Sequence, residues 1–206
     1  MDGPLIYFLV ALISALLGTI PFGPINLAVV KTTVDLNATR GTEMAVAASL
    51  VEIVEALIAI SFGMVISNYL ESNAIIKVII ALAFFGLAAY ILTRKSTSAI
   101  NNNESDDRPI FIKGLLIAAL NPQAIPFWIF ALAAISQYFT FEYAGINLLA
   151  FLGGVAAGKL IALYGFVVTS NYLKDHLQQS GLLVNRLLAG VLVFIGVSQL
   201  WTALPA

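Results

Sequence analysis

Apolar residues run along this chain in blocks long enough to cross a bilayer, and polar positions are confined to the gaps between them. A transmembrane helix needs about 20 predominantly apolar residues. Six blocks qualify, at about 4–30, 42–66, 73–93, 110–138, 144–170 and 182–204. The first and fourth are long, and each carries a break: PFGPIN at 21–26 and LNPQAIP at 120–126. A proline inside a helix removes one backbone donor and clashes with the carbonyl four residues earlier. Pro21 and Pro24 therefore free the carbonyls of Leu17 and Ile20, and Pro122 and Pro126 free those of Ala118 and Pro122.

Only one connection is long and polar, RKSTSAINNNESDDRP at 94–109, and its composition is that of a flexible linker. It divides the chain into a first three-helix repeat (1–93) and a second (110–206). With three spans in each half, the second half starts on the opposite side of the membrane from the first. Halves that share a fold are then related by an axis in the membrane plane. Helices interrupted at corresponding positions of two inverted halves are the sequence pointer to a transporter's midplane site. The expected fold is an all-α polytopic membrane protein of six transmembrane helices, built as two inverted repeats with helices 1 and 4 broken.

Composition supports this class. The 206 residues are 60% apolar and 10% charged, with mean hydropathy +0.97, whereas a soluble domain carries about a quarter charged residues. Residues 1–20 lack a basic leading region, so they read as a first span rather than a cleaved signal. No basic cluster suits nucleic acid. The absence of Cys excludes disulfides and thiolate metal sites, and the single His176 lies in a polar connection where water solvates it.

Lys and Arg set the orientation. Lys31, Arg40, Arg94, Lys95, Arg108, Lys113, Lys174 and Arg186 fall on one side, which is then cytoplasmic. The termini and the second and fourth connections, free of Lys and Arg, lie outside; the location is the cell's inner membrane. Lys77 can snorkel from an outer helix end. Lys159 cannot.

Lys159 sits near the middle of the fifth span, and Glu52 and Glu55, three residues apart on one helical face, near the middle of the second. A charge at that depth costs about 2.5–3.5 kcal/mol on insertion scales, so it faces the bundle interior or a cavity. Two carboxylates and one ammonium leave one negative charge, or one titratable proton, over. The sequence does not say which glutamate pairs with Lys159. The breaks add complementary chemistry: freed carbonyls accept from an ammonium, and amides at a half-helix N-terminus favour an anion. A zwitterion suits such a pair of ends, with Pro24 and Pro122 shaping them and Asn26, Asn121 and Gln123 adding neutral hydrogen-bonding groups. Gly153, Gly154, Ala157 and Gly158 have the spacing of close helix packing within the bundle, with a homodimer seam as the other use. Trp128, Trp201, Tyr7, Tyr69, Tyr138, Tyr143 and Tyr172 fall mostly near span ends, as interface anchors do.

PFGPINLAVVKT, the Arg40–Gly41 pair, SLVEIVEAL at 49–57 and LNPQAIPFW at 120–128 together resemble the LysE/RhtB superfamily of amino-acid exporters. The resemblance implies a secondary transporter without cofactor, exporting amino acids or related small amphipathic metabolites, coupled to protons. By position it carries over Gly23, Pro24 and Asn26 from the family's G-P-x-N element, and Asn121, Pro122 and Ala124 from its N-P-K-A element. Glu52 stands where the family usually has Asp. Three residues depart from the pattern: Gln123 replaces the common Lys, Glu55 is an added acid, and Lys159 is a basic residue in a helix that usually has none, as though the positive charge had moved from 123 to 159.

The expected substrate-binding set is therefore Gly23, Pro24, Asn26, Asn121, Pro122 and Gln123, with Glu52, Glu55 and Lys159 as the coupling cluster. The alternative is a divalent metal-ion exporter of the same superfamily. Without Cys or a membrane-embedded His, two glutamates suit only a hard ion. An enzyme is not expected, because no paired Asp, H-E-x-x-H or His–Ser arrangement is present.

Overall fold

The computed structural model describes residues 3–20, 23–70, 108–121, 123–136 and 138–173, and single positions within 78–89 and 190–197. The expected third and sixth spans, apart from those single positions, lie outside the described residues. So do the linker up to residue 107, Pro21, Pro122, Lys77, Lys174, His176, Arg186 and Trp201.

Among the described residues there are six helices and no strand. They are α1 (Pro4–Thr19), α2 (Pro24–Asp35), α3 (Ala38–Leu70), α4 (Ile110–Ala119), α5 (Ala124–Ile135) and α6 (Gly145–Leu173). Two of them, over Ala38–Phe62 and Gly145–Tyr172, are long and apolar enough to cross a membrane alone. The others form two bent pairs, α1 with α2 at 74° and α4 with α5 at 60°; with each pair taken as one span the number rises to four.

Local chemistry fixes several ends. Pro4 and Pro24 stand at the starts of α1 and α2, where the missing donor costs nothing. Asn37 caps α3, its Oδ1 accepting from the Arg40 amide at 3.0 Å. The faces follow membrane logic, in which lipid is as apolar as leucine and close backbone approach drives association. On α1 the small residues Ala11 and Ala15 turn inward and Leu5, Leu9, Ile13 and Leu17 outward; on α3, Ala48, Ala56 and Ala59 turn inward and Leu50, Val54 and Ile58 outward.

The most extensive pairing is α1 with α6. A Cβ on Gly154 would collide with the Phe8 carbonyl oxygen, and one on Gly158 with that of Leu12. The glycine stripe thus serves packing within the chain, as its spacing suggests.

Among the described residues, most buried apolar side chains fall into two clusters, and the division runs through the helices at one level. One cluster takes Tyr7, Ala11 and Ala15 of α1, Ala56, Ala59 and Ile60 of α3, Trp128 and Ala131 of α5, and Phe151 and Val155 of α6. The other takes Ile25, Ala28 and Val29 of α2, Met44, Ala45 and Ala48 of α3, Ala118 of α4, and Leu163 and Val167 of α6. Between them on α3 lie Glu52 and Glu55, on α6 lies Lys159, and the α1–α2 and α4–α5 bends fall in the same gap.

Candidate functional site

Lys159, on α6 between Val155 and Leu163, reaches Glu52 of α3: its Nζ lies 2.8 Å from Glu52 Oε2. Glu52 Oε1 accepts a hydrogen bond of 2.8 Å from the indole Nε1–H of Trp128 on α5. Both oxygens of one buried carboxylate are thereby held by donors from two different helices. Glu55, one turn along α3, is within hydrogen-bonding reach of Glu52 and interacts electrostatically with both Glu52 and Lys159. All three charged residues are buried, with exposures of 4% for Glu52, 6% for Glu55 and 6% for Lys159. Burial of this kind is tolerable only because the charges are paired and their remaining lone pairs find donors.

The two bends come together beside this cluster. The Gln123 side chain lies against Gly23, its Oε1 3.4 Å from where a Cβ would stand. Phe127, in the first turn of α5, fills the notch left by Gly18 near the end of α1. A Cβ at Gly18 would collide with the Phe127 ring, whereas one at Gly23 would meet Gln123 in ordinary van der Waals contact.

Side chains replace some of the backbone hydrogen bonds that the breaks remove. Asn26 is buried, and its Nδ2–H donates across the first bend to the Thr19 carbonyl at 2.6 Å. The Thr19 hydroxyl in turn donates to the Ala15 carbonyl at 2.7 Å. At the second bend the Ala118 carbonyl, which the sequence expects Pro122 to leave free, accepts from the Asn121 amide at 2.9 Å in a tight turn. Asn121 Oδ1 accepts from the Gln123 amide at 3.3 Å. Asn26 and Asn121 thus hold the shape of the bends themselves. Replacing Asn26 by Leu leaves the Thr19 carbonyl without this donor, at about 1–3 kcal/mol. The expected result is a lower detergent melting temperature for Asn26→Leu than for Asn26→Ser, whose hydroxyl keeps a donor.

Of the expected site residues, Gly23, Gln123, Asn26, Asn121, Glu52, Glu55 and Lys159 lie in or beside the gap between the apolar clusters, with Pro24 opening α2 there. Pro122 lies outside the described residues.

The aromatic residues require a correction. Trp128 is no interface anchor; it is fully buried and bonded to Glu52. Tyr7 is also buried, stacked on Phe141 with centroids 3.9 Å apart. Tyr138 and Tyr172 are exposed, as anchors are. The overlooked signal was depth: Trp128 lies seven residues before Ile135, the last of its helix, at the level of the glutamates.

A family profile described as LysE type translocator matches residues 16–202. No curated protein and no solved structure matches the chain.

Proposed function

The chain belongs to the LysE type translocator family, and we propose that it exports amino acids or related small amphipathic metabolites, with protons as the coupling ion. The family's members are translocators rather than enzymes, and the apolar helices make this a membrane protein. The observation that carries the finer reading is the coincidence, at one level between two apolar clusters, of both bends and the Glu52–Lys159 pair.

In this reading α1–α2 and α4–α5 are the broken spans of two inverted halves, and the substrate sits where they meet. Carbonyls at the bends receive its ammonium, and the first-turn amides of α2 and α5 receive its carboxylate. Gly23 and Gln123 line the junction, while Pro24, Pro122, Asn26 and Asn121 keep it open-ended. Glu52, Glu55 and Lys159 form the coupling cluster. With two carboxyls and one ammonium, the cluster has one negative charge, or one titratable proton, over, and in this reading exchange of that proton against substrate gives antiport. The proposed location is the inner membrane, and the distribution of Lys and Arg supports an orientation with both termini outside.

The divalent-metal reading has less support. Glu52 has both oxygens engaged by Lys159 and Trp128, and the ammonium repels a cation. Among the described residues no three His, Asp or Glu come together.

Purified protein in proteoliposomes, offered a panel of labelled amino acids with and without an imposed pH gradient, tests the proposal. Gradient-stimulated transport of one or a few is expected, and it disappears in Glu52→Gln at equal protein load. Folded protein that transports none of them under either condition overturns the reading, and saturable Mn²⁺ binding by that protein would favour the metal alternative.

A further inference from the structure

Between α5 and α6 the chain runs extended, and its side chains alternate. Phe139, Phe141 and Tyr143 turn inward and are half-buried, while Tyr138, Thr140 and Glu142 are exposed. The inward aromatics form a strap over the end of the cluster that contains Ala56, Ala59 and Trp128. The strap is fastened to α1, the Glu142 amide donating to Tyr7 Oη at 2.7 Å and Phe141 stacking on the Tyr7 ring. It re-enters α6 through Gly145, whose φ of +52° lies in the left-handed region that favours glycine.

Ring contacts run without interruption from the strap to the charge cluster. Tyr143 meets Phe151 edge to face at 5.0 Å between centroids, and Phe151 meets Trp128 at 5.9 Å. Trp128 ends the series by donating to Glu52. We infer that Trp128 is a positioning residue that ties this aromatic strap, the seal on one side of the site, to the charge state of Glu52. With Glu52 ionised, the indole donates a charge-assisted hydrogen bond, about twice as strong as a neutral one. Neutralising Glu52, by a proton or by a substrate cation, weakens that bond. The ring is then free to turn away from Phe151, and the strap loses its footing.

The groups that face Glu52 are Lys159 from α6, Glu55 on its own helix and Trp128 from α5. At the strap, Glu142 is exposed, and burial, reinforced by Tyr7, pushes the Tyr143 phenol up, so it stays protonated. In this proposal the changing charge lies at Glu52, the group that the Trp128 indole contacts directly. The inference rests on the reading of Glu52 as a coupling residue, but the strap can be measured without transport.

The chain contains no Cys, so single thiols can be introduced into the natural sequence. Ala59→Cys places one beneath the strap at a fully buried position, and Thr140→Cys provides an exposed reference. Labelling by a membrane-impermeant maleimide from the strap side should be slow at position 59. It should rise about tenfold in Glu52→Gln and in Trp128→Phe, and no further in the double variant, because both act through one bond. Unchanged rates in either single variant, or multiplied effects in the double, overturn the inference. A second measurement leaves the charge cluster intact: in Trp201→Phe protein, where Trp128 is the remaining tryptophan, Phe141→Ala should shift Trp128 emission to the red as water enters. No shift also overturns the inference. Normal strap behaviour in a protein that fails to transport would count against the exporter reading alone.

Discussion

Lys159→Met is expected to be the most damaging single change in the site, costing about 3–5 kcal/mol of stability and abolishing transport. The substitution keeps the length of the side chain but removes the ammonium that lies 2.8 Å from Glu52. Glu52 then keeps one donor, the Trp128 indole, at a buried position. The reverse change should be milder. In Glu52→Gln the ammonium still has Glu55, which already interacts with it electrostatically, and the new amide can accept from Trp128 in place of the carboxylate. Combining the two changes removes the unpaired charge, so the double variant should recover most of the stability that Lys159→Met loses, and still not transport. Melting curves in detergent, read beside proteoliposome transport, separate the outcomes. A Lys159→Met protein as stable as the wild type would mean that the pair is not desolvated as the structure has it. A double variant that transports would remove the cluster from the coupling step.

The same cluster shows how far the sequence could be read. The need for Glu52, Glu55 and Lys159 to face inward follows from the cost of charge in lipid, and each is buried. Which glutamate binds Lys159 depends on the rotation of α3 relative to α6, and no residue pattern in either helix encodes that rotation. The helix ends were legible because proline acts locally: α1 ends at Thr19 and α2 starts at Pro24. What the bends do with their backbone groups was not legible. Asn26 reaches back seven residues to the Thr19 carbonyl, a contact that exists only once the chain has turned by 74°. The place of Trp128 is hidden from the sequence for a related reason. Its partner Glu52 lies 76 residues away, and the expectation that aromatics gather at span ends outweighed its depth. The strap carried a visible signal, the alternation in FTFEY at 139–143, but a period of two in a short connection between helices has meaning only when a neighbouring surface is known.

The geometry that aims Lys159 also depends on its neighbour in sequence. Gly158 lets α1 pass against α6 so closely that an added Cβ would meet the Leu12 carbonyl oxygen and come within 2.9 Å of Ala15 Cβ. A backbone carbonyl cannot rotate aside as the end of a side chain can, so the two helices must separate. Gly158→Ala is therefore expected to cost about 1–3 kcal/mol by overpacking, and Gly158→Leu enough to prevent accumulation of folded protein. Gly165, two turns along α6, supplies the control: nothing lies within 4 Å of its Cβ position, and Gly165→Ala should be neutral or slightly stabilising. The functional consequence reaches beyond stability. Separating α1 from α6 also shifts α6 relative to α3, and the Lys159–Glu52 contact of 2.8 Å has no slack for such a shift. Gly158→Ala should thus lose transport out of proportion to its loss of stability, whereas Gly154→Ala, with its own clash against the Phe8 carbonyl but one turn further from Lys159, should lose stability more than transport. Comparable transport losses in the two variants at matched melting temperatures would mean that packing of α1 on α6 acts only through the fold, and that the position of Lys159 does not depend on it.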